Sequence, residues 1–172
     1  MTTKAPYKVL ILCTGKMTKR IDEYQAQEKE YTGRFVIGQT TPSHDLETEV
    51  SEKMDISHIT NEKLVEATKQ FTGTIEQVPP MHSAIKVDGK RAYELARKGK
   101  DAELKSRQVT ISVFEITAIE LPSVSFRVVC TKGTYIRSLA RDFGEALGTG
   151  AYLAELCRTR IGEFRRSPSA KD

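Results

Sequence analysis

The chain has 172 residues, 38% hydrophobic and 29% charged, with 27 Lys and Arg against 23 Asp and Glu for a formal charge of +4. That suffices for one globular domain burying roughly two-thirds of its unfolded surface, and it excludes disorder, collagen, coiled coil and a secreted mini-protein. The small basic excess permits a polyanionic partner without demanding one. The longest strongly apolar run, Val9–Cys13, is five residues, against the ~20 of a membrane span. Met1–Tyr7 has no apolar stretch of signal-peptide length. Cys13, Cys130 and Cys157 are odd in number, far apart and without a CxxC. They suit reduced thiols in a cytoplasmic protein better than a disulfide frame or a zinc site.

In chain order, Val9–Cys13 is β-branched and leucine-rich and closed by Thr14-Gly15, which predicts a buried strand. The polar stretch Lys16–Glu30 admits a helix around Arg20–Gln27, and Arg34–Ile37 reads as a second strand ended by Gly38. Thr40–Glu49, rich in Thr, Pro, Ser, His and Asp, predicts a loop. Leu64, Val65, Thr68 and Phe71 recur at helical spacing between the Thr60-Asn61 caps and Gly73. Pro79-Pro80 forbids regular helix and central strand. Gly89 predicts a turn, and Ala92–Arg97 a short helix ending near Gly99.

Gln108–Leu121 and Ser125–Thr131 alternate apolar and polar residues around Pro122, the pattern of antiparallel strands. Ile136, Leu139, Ala140, Phe143 and Leu147 form an amphipathic helical stripe stopped by Gly148. Leu153 and Leu156 predict a second, shorter helix capped by Thr149, and Ser167-Pro168-Ser169 a frayed tail. The fold class expected is α+β, with a mixed, largely antiparallel sheet and flanking helices.

Three histidines, His44, His58 and His82, share no metal-ligand spacing, and neither a phosphate loop nor a Gly-x-Ser-x-Gly elbow is present. Metal, triphosphate and esterase chemistry are therefore poor fits, and no cofactor is expected. The most distinctive string is Lys132-Gly133-Thr134-Tyr135-Ile136-Arg137, where strand gives way to helix. Gly133 allows a turn and Thr134 a helix cap. Tyr135 and Arg137 can offer one cleft a ring and a planar fork, a pair suited to a nucleobase and an anion. Alone, the string reads first as a core tyrosine and a surface ion pair. Lys86–Lys100 carries six basic residues (Lys86, Lys90, Arg91, Arg97, Lys98, Lys100) against Asp88 and Glu94, either a solvated face or a nucleic-acid contact.

Taken together, several motifs resemble the TruB-type tRNA pseudouridine synthases, which isomerise a uridine in the T loop of tRNA. They are Leu10-Ile11-Leu12-Cys13-Thr14-Gly15-Lys16, the segment around Lys29-Glu30-Tyr31, Thr41–Asp45, Gln77–Lys86 with its Pro-Pro step, Lys132–Arg137, and Gly148–Arg158. The resemblance runs from about Val9 to Phe164. It implies that Tyr31 stacks on the target uracil, that Tyr135 makes a second uridine contact, that Arg137 supports the catalytic carboxylate and that Leu156 lines the uridine pocket. For Leu156, plain core packing is an equal alternative. It implies that residues 77–107 are an inserted thumb gripping the T arm and elbow, with His82, Lys86, Lys90, Arg91 and Lys132 on the RNA. A flipped base needs such a set, because it is held by stacking and edge contacts after leaving its stack.

The chain departs from the family at the nucleophile, an aspartate in a Gly-x-x-Asp-Pro segment. Thr3 and Lys4 stand where that aspartate and proline would fall, and Asp45 belongs to a different motif. A threonine hydroxyl is far less nucleophilic at neutral pH unless a base activates it. The expectation is a single partial synthase domain over 1–172, incomplete at its N-terminal side, inactive as it stands and lacking a PUA domain. Its exposed sheet edge would invite a homodimer. The alternatives are a tRNA-binding module or folding helper without catalysis, and an interaction protein that reuses the edge.

Overall fold

The computed structural model describes residues 8–84, 86–87, 90–97 and 104–166. A 3-10 helix over Gly15–Arg20 leads into helix α1 (Ile21–Ala26), then strand β1 (Lys29–Ile37). After a long loop come α2 (Asn61–Lys69), β2 (Gly73–Gln77), the short strands β3 (Lys86–Val87) and β4 (Lys90–Arg91), and α3 (Ala92–Arg97). The chain closes with β5 (Arg107–Glu120), β6 (Ser123–Cys130), α4 (Ile136–Ala146), β7 (Ala151–Ile161) and β8 (Phe164–Arg165).

Among the described residues the main sheet has six strands in the order β2-β5-β6-β1-β7-β8, and its neighbours pair antiparallel. This is the α+β architecture expected. Helices α2 and α4 supply Leu64, Ala67, Leu139, Ala140 and Phe143 to a core completed by the sheet residues Phe35, Ile37, Ile111, Phe114, Val124, Phe126, Val128 and Leu153. Phe35 stacks on Phe126 at 4.2 Å, and Phe143 reaches Phe35 and Phe114 at 5.8 and 5.4 Å. These spacings suit aromatic packing. Gly33 permits this approach: a Cβ there would sit 2.2 Å from the Glu155 carbonyl and 2.7 Å from the Phe126 ring.

Three local expectations fail. The stretch around Leu153 and Leu156 is not a helix but the eleven-residue strand β7. Its register against β1 shifts twice, so that Ala151, Leu153, Leu156 and Arg158 oppose Ile37, Phe35, Gly33 and Tyr31. Each bulge adds a residue and turns a spacing of two into three. Leucines three apart, which resemble a helical stripe, therefore share a sheet face. Val9–Cys13 is not a buried strand either. It touches β7 where Val9 N–H donates to the Arg158 carbonyl at 2.8 Å, and Leu10 and Leu12 remain 67% and 81% exposed. No layer packs over them among the described residues, so apolar content alone does not bury the run. Thr134 also fails as the cap of α4. Its hydroxyl donates to the Thr131 carbonyl, and the cap position belongs to Tyr135.

The remaining helices and the β5–β6 pairing lie where the patterns put them, with Thr60 accepting the Lys63 N–H at 3.2 Å as the cap of α2. The frayed tail expected at Ser167–Ser169 lies outside the described residues.

Candidate nucleobase and RNA site

Tyr31 lies in β1 on the face that packs against the core, directly opposite Arg158. Burial raises its phenol above the ordinary range, with Cys130 adding to the rise and the charge and hydrogen bond of Arg158 opposing it. Arg158 in turn donates from Nε to the Val9 carbonyl at 3.0 Å. Leu156 opposes Gly33 and packs against the core, and it also borders a cavity of about 210 Å³ with Thr32, Gly33 and Phe126.

Around the near end of β1, Lys29 donates to the carbonyls of Gln25 and Gln27 and so closes α1. Burial and the neighbouring Arg158 lower its ammonium, with Lys132 acting in the same sense. Lys29, Lys132 and Arg158 share a cleft of about 570 Å³ with Leu10, Leu12 and Ile161. Burial pushes the Cys130 thiol to about 11 despite a hydrogen bond with Thr134, so it does not form a thiolate nucleophile at neutral pH.

The second group forms at the first turns of α4. Gly133, at φ +84°, turns the chain out of β6, a conformation that favours glycine. Tyr135 follows in extended geometry, and Arg137 points to the loop between β1 and α2. Arg137 Nη1 lies 3.7 Å from Asp45 Oδ2 and 3.5 Å from the Ser43 carbonyl, with both charged side chains 20% exposed. Asp45 thus gives Arg137 a carboxylate partner, the ion pair that the string read alone suggests. Asp45 is held by its other oxygen, which accepts the Ser43 hydroxyl at 2.6 Å and the Glu47 N–H at 2.9 Å. That division leaves Oδ2 to the guanidinium.

His44, at φ +64°, is lodged beside this pair. Burial, then the charges of Arg141 and Arg137, hold its imidazole down to about 4 against the partial opposition of Asp45, so it is neutral at physiological pH. Its carbonyl accepts the Leu153 N–H at 2.9 Å, which ties the loop to β7.

The segment between Gln77 and Arg107 leaves and rejoins the sheet at one place, because these two residues are register partners. His82 lies within electrostatic reach of His44. Arg91 sits 6.0 Å from the Tyr93 ring. Lys86 and Lys90 are on the β3–β4 pair, while Lys98 and Lys100 lie outside the described residues. The structure thus gathers Tyr31, Lys132 and Arg158 on one side, and Arg137, Asp45 and His44 on the other. The two groups are linked through β7. No group of three His, Cys, Asp or Glu that could hold a metal occurs among the described residues.

Sequence reasoning gave Asp45, His44, Arg158 and Gln77 no role at this site, although all four lie within the resembling segments. The local signal for Asp45, a Ser-x-Asp step in a polar loop, was present, but only the fold reveals its partner.

The family described as TruB family pseudouridylate synthase (N terminal domain) matches residues 8–136. This chain belongs to the TruB family. Among its relatives, "tRNA pseudouridine synthase B" of Parabacteroides distasonis is 57% identical over 155 residues, covering 90% of this chain and 66% of that protein. The protein of the same name from Flavobacterium johnsoniae is 56% identical over 156 residues, covering 91% and 68%. This TruB-family chain therefore spans about two-thirds of the length of the curated relatives it matches. Among solved structures, a Cbf5-Nop10-Gar1 complex aligns with a TM-score of 0.60 at 30% identity, covering 86% of this chain and 35% of that one. An H/ACA RNP bound to a substrate RNA containing 2′-deoxyuridine aligns at 0.59 and 26% identity, covering 88% and 34%.

Proposed function

We propose that this chain is the uridine-holding part of a cytoplasmic tRNA pseudouridine synthase acting on the T loop. A flipped uracil stacks on Tyr31 and meets Tyr135, Leu156 walls the pocket, and Arg137 orients a carboxylate. His82, Lys86, Lys90, Arg91 and Lys132 hold the T arm and elbow, and residues 77–107 act as the thumb. The observation that carries this reading is the placement of Tyr31 and Leu156 on one sheet face, two β1 residues apart in register, in a chain whose relatives are named tRNA pseudouridine synthase B.

No metal or cofactor enters this reading. The nucleophile is a carboxylate attacking C6 of the base or C1′ of the ribose. Asp45 is a poor substitute, because one of its oxygens accepts two loop hydrogen bonds and the other faces Arg137. With Thr3 and Lys4 at the positions of the family's aspartate and proline, residues 1–172 by themselves bind tRNA without turning it over. The same observation favours the second reading, a tRNA-binding module or folding helper.

The test is a pseudouridine assay on an unmodified tRNA transcript, run on this chain and on the same chain extended at its N-terminus with a Gly-x-x-Asp-Pro segment. Turnover only by the extended protein supports the synthase reading. Turnover by the 172 residues alone overturns their inactivity, and binding without turnover by both favours the binding module. Replacing Lys90 and Arg91 by Ala lowers the salt slope of tRNA binding by roughly one to two units if they touch phosphates. A second copy meeting the β7 edge beside Leu10 and Leu12 is the corresponding proposal for assembly, and a monomer by sedimentation at micromolar concentration would dismiss it.

A further inference from the structure

Gln77 is the last residue of β2, only 2% exposed, and its side chain is wholly engaged with one distant residue. The Tyr135 N–H donates to Gln77 Oε1 at 2.8 Å, and Gln77 Nε2 donates to the Tyr135 carbonyl at 3.2 Å. One carboxamide thus grips both polar groups of a single residue's backbone, as a neighbouring strand would. The Tyr135 carbonyl also accepts the Leu139 N–H at 3.1 Å, so the grip falls on the entry to α4. No side chain caps this helix, and without Gln77 the Tyr135 N–H would lose its acceptor.

The next residue continues the attachment. The Val78 carbonyl accepts from Ser138 Oγ at 2.7 Å and from Arg141 Nη2 at 2.9 Å. Since Gln77 pairs with Arg107 across the root of the inserted segment, the residues that anchor this segment also fix Tyr135.

We propose that Gln77 is a positioning residue, which sets where the Tyr135 ring stands against a bound nucleobase by holding its peptide. This rests on the reading of Tyr135 as a uridine contact. Position i of a helix entry tolerates a range of backbone angles unless both of its polar groups are tied. A ring carried on such a backbone would offer a base a wandering face. The amide suits the task because it supplies an acceptor and a donor side by side in one rigid plane.

The test uses the 172-residue chain and an unmodified tRNA transcript. Gln77→Met keeps the length of the side chain and removes both hydrogen bonds. Hydrogen exchange at the Tyr135 amide accelerates at least about tenfold in this variant while the Leu139 amide, bonded to the Tyr135 carbonyl, stays protected. The dissociation constant for the transcript rises about tenfold, as for the loss of one base–aromatic contact. In a Tyr135→Ala background, where the same backbone remains clamped but no ring is left to aim, Gln77→Met has no further effect on binding. An equal effect in both backgrounds means a purely structural role and overturns the inference, as does unchanged exchange at Tyr135.

Where Gln77→Met does not fold, Gln77→Glu carries the same cycle. It keeps the acceptor, so the Tyr135 amide remains protected, and loss of that protection would likewise be fatal. Failure of the wild-type chain to bind the transcript at all defeats the functional reading and the role given to the ring. Exchange at Tyr135 needs no RNA, so it tells that failure apart from the absence of the clamp.

Discussion

The entry to α4 and the segment Lys8–Thr14 carry similar stocks of apolar residues, yet one is pinned from several sides and the other is scarcely attached. At α4, Phe143 and Leu139 are fully buried, Gln77 holds Tyr135, Val78 accepts two side-chain donors, and Asp45 faces Arg137. At the other segment, Val9 exchanges hydrogen bonds with Arg158, and two leucines face solvent. Hydrophobic residues stabilise a fold only where a second layer removes them from water. The difference lies in what stands opposite each segment, and composition does not encode that.

The comparison breaks most decisively at Phe143. Phe143→Ala should cost about 3–5 kcal/mol, because the ring is fully buried and touches Phe35, Phe71 and Phe114. Urea unfolding followed by far-ultraviolet circular dichroism measures it, and a cost under about 1 kcal/mol would mean that this core collapses readily around a cavity.

Acid comes next. His44 titrates at about 4 when folded, against an ordinary 6.5, so between those values the unfolded chain binds more protons. Stability is therefore complete above 6.5 and declines as the pH falls toward about 4, by at most about 3 kcal/mol before solvent screening of this partly exposed ring. His44→Asn, whose side chain tolerates the positive φ, should flatten this part of the pH profile. An unchanged profile would move the acid sensitivity to other groups. One such group is Glu30. Burial raises its pKa, but hydrogen bonds from Thr159 and Arg127 and the charge of Arg165 outweigh that and lower it overall. Its contribution is lost only at more acidic pH.

A smaller loss, about 1 kcal/mol, is expected for Ser138→Ala, which removes one of the two donors to the Val78 carbonyl. Last, Leu12→Ser should leave stability within about 0.5 kcal/mol of the parent in the same urea experiment. A loss above 1 kcal/mol would show that the segment is covered in solution, for instance by a second copy, and would remove the contrast with α4.

The elements most legible in the sequence were those whose signal is local. In α2 the Thr60 cap and the stripe through Leu64 and Thr68 suffice, and in α4 the stripe from Ile136 to Leu147 does. The β5–β6 pair followed from alternation alone. Strand β7 was illegible because its bulges convert a period of two into spacings that imitate a helix. For the site, Tyr31, Tyr135, Arg137 and Leu156 came through motif resemblance. Asp45, His44 and Gln77 stood inside resembling segments but received no role, since nothing near them in the chain identifies their partners.

By itself, the sequence determined the class of the fold, the helix boundaries set by caps and glycines, and membership of a family through motifs in a fixed order. Tertiary structure alone decided which carboxylate faces Arg137, which amide fixes Tyr135, and which apolar run is buried. The physical reason is range. Caps, turns and periodicity act within a few residues along the chain, whereas Gln77 and Tyr135 are 58 residues apart and meet only once the sheet and α4 are assembled.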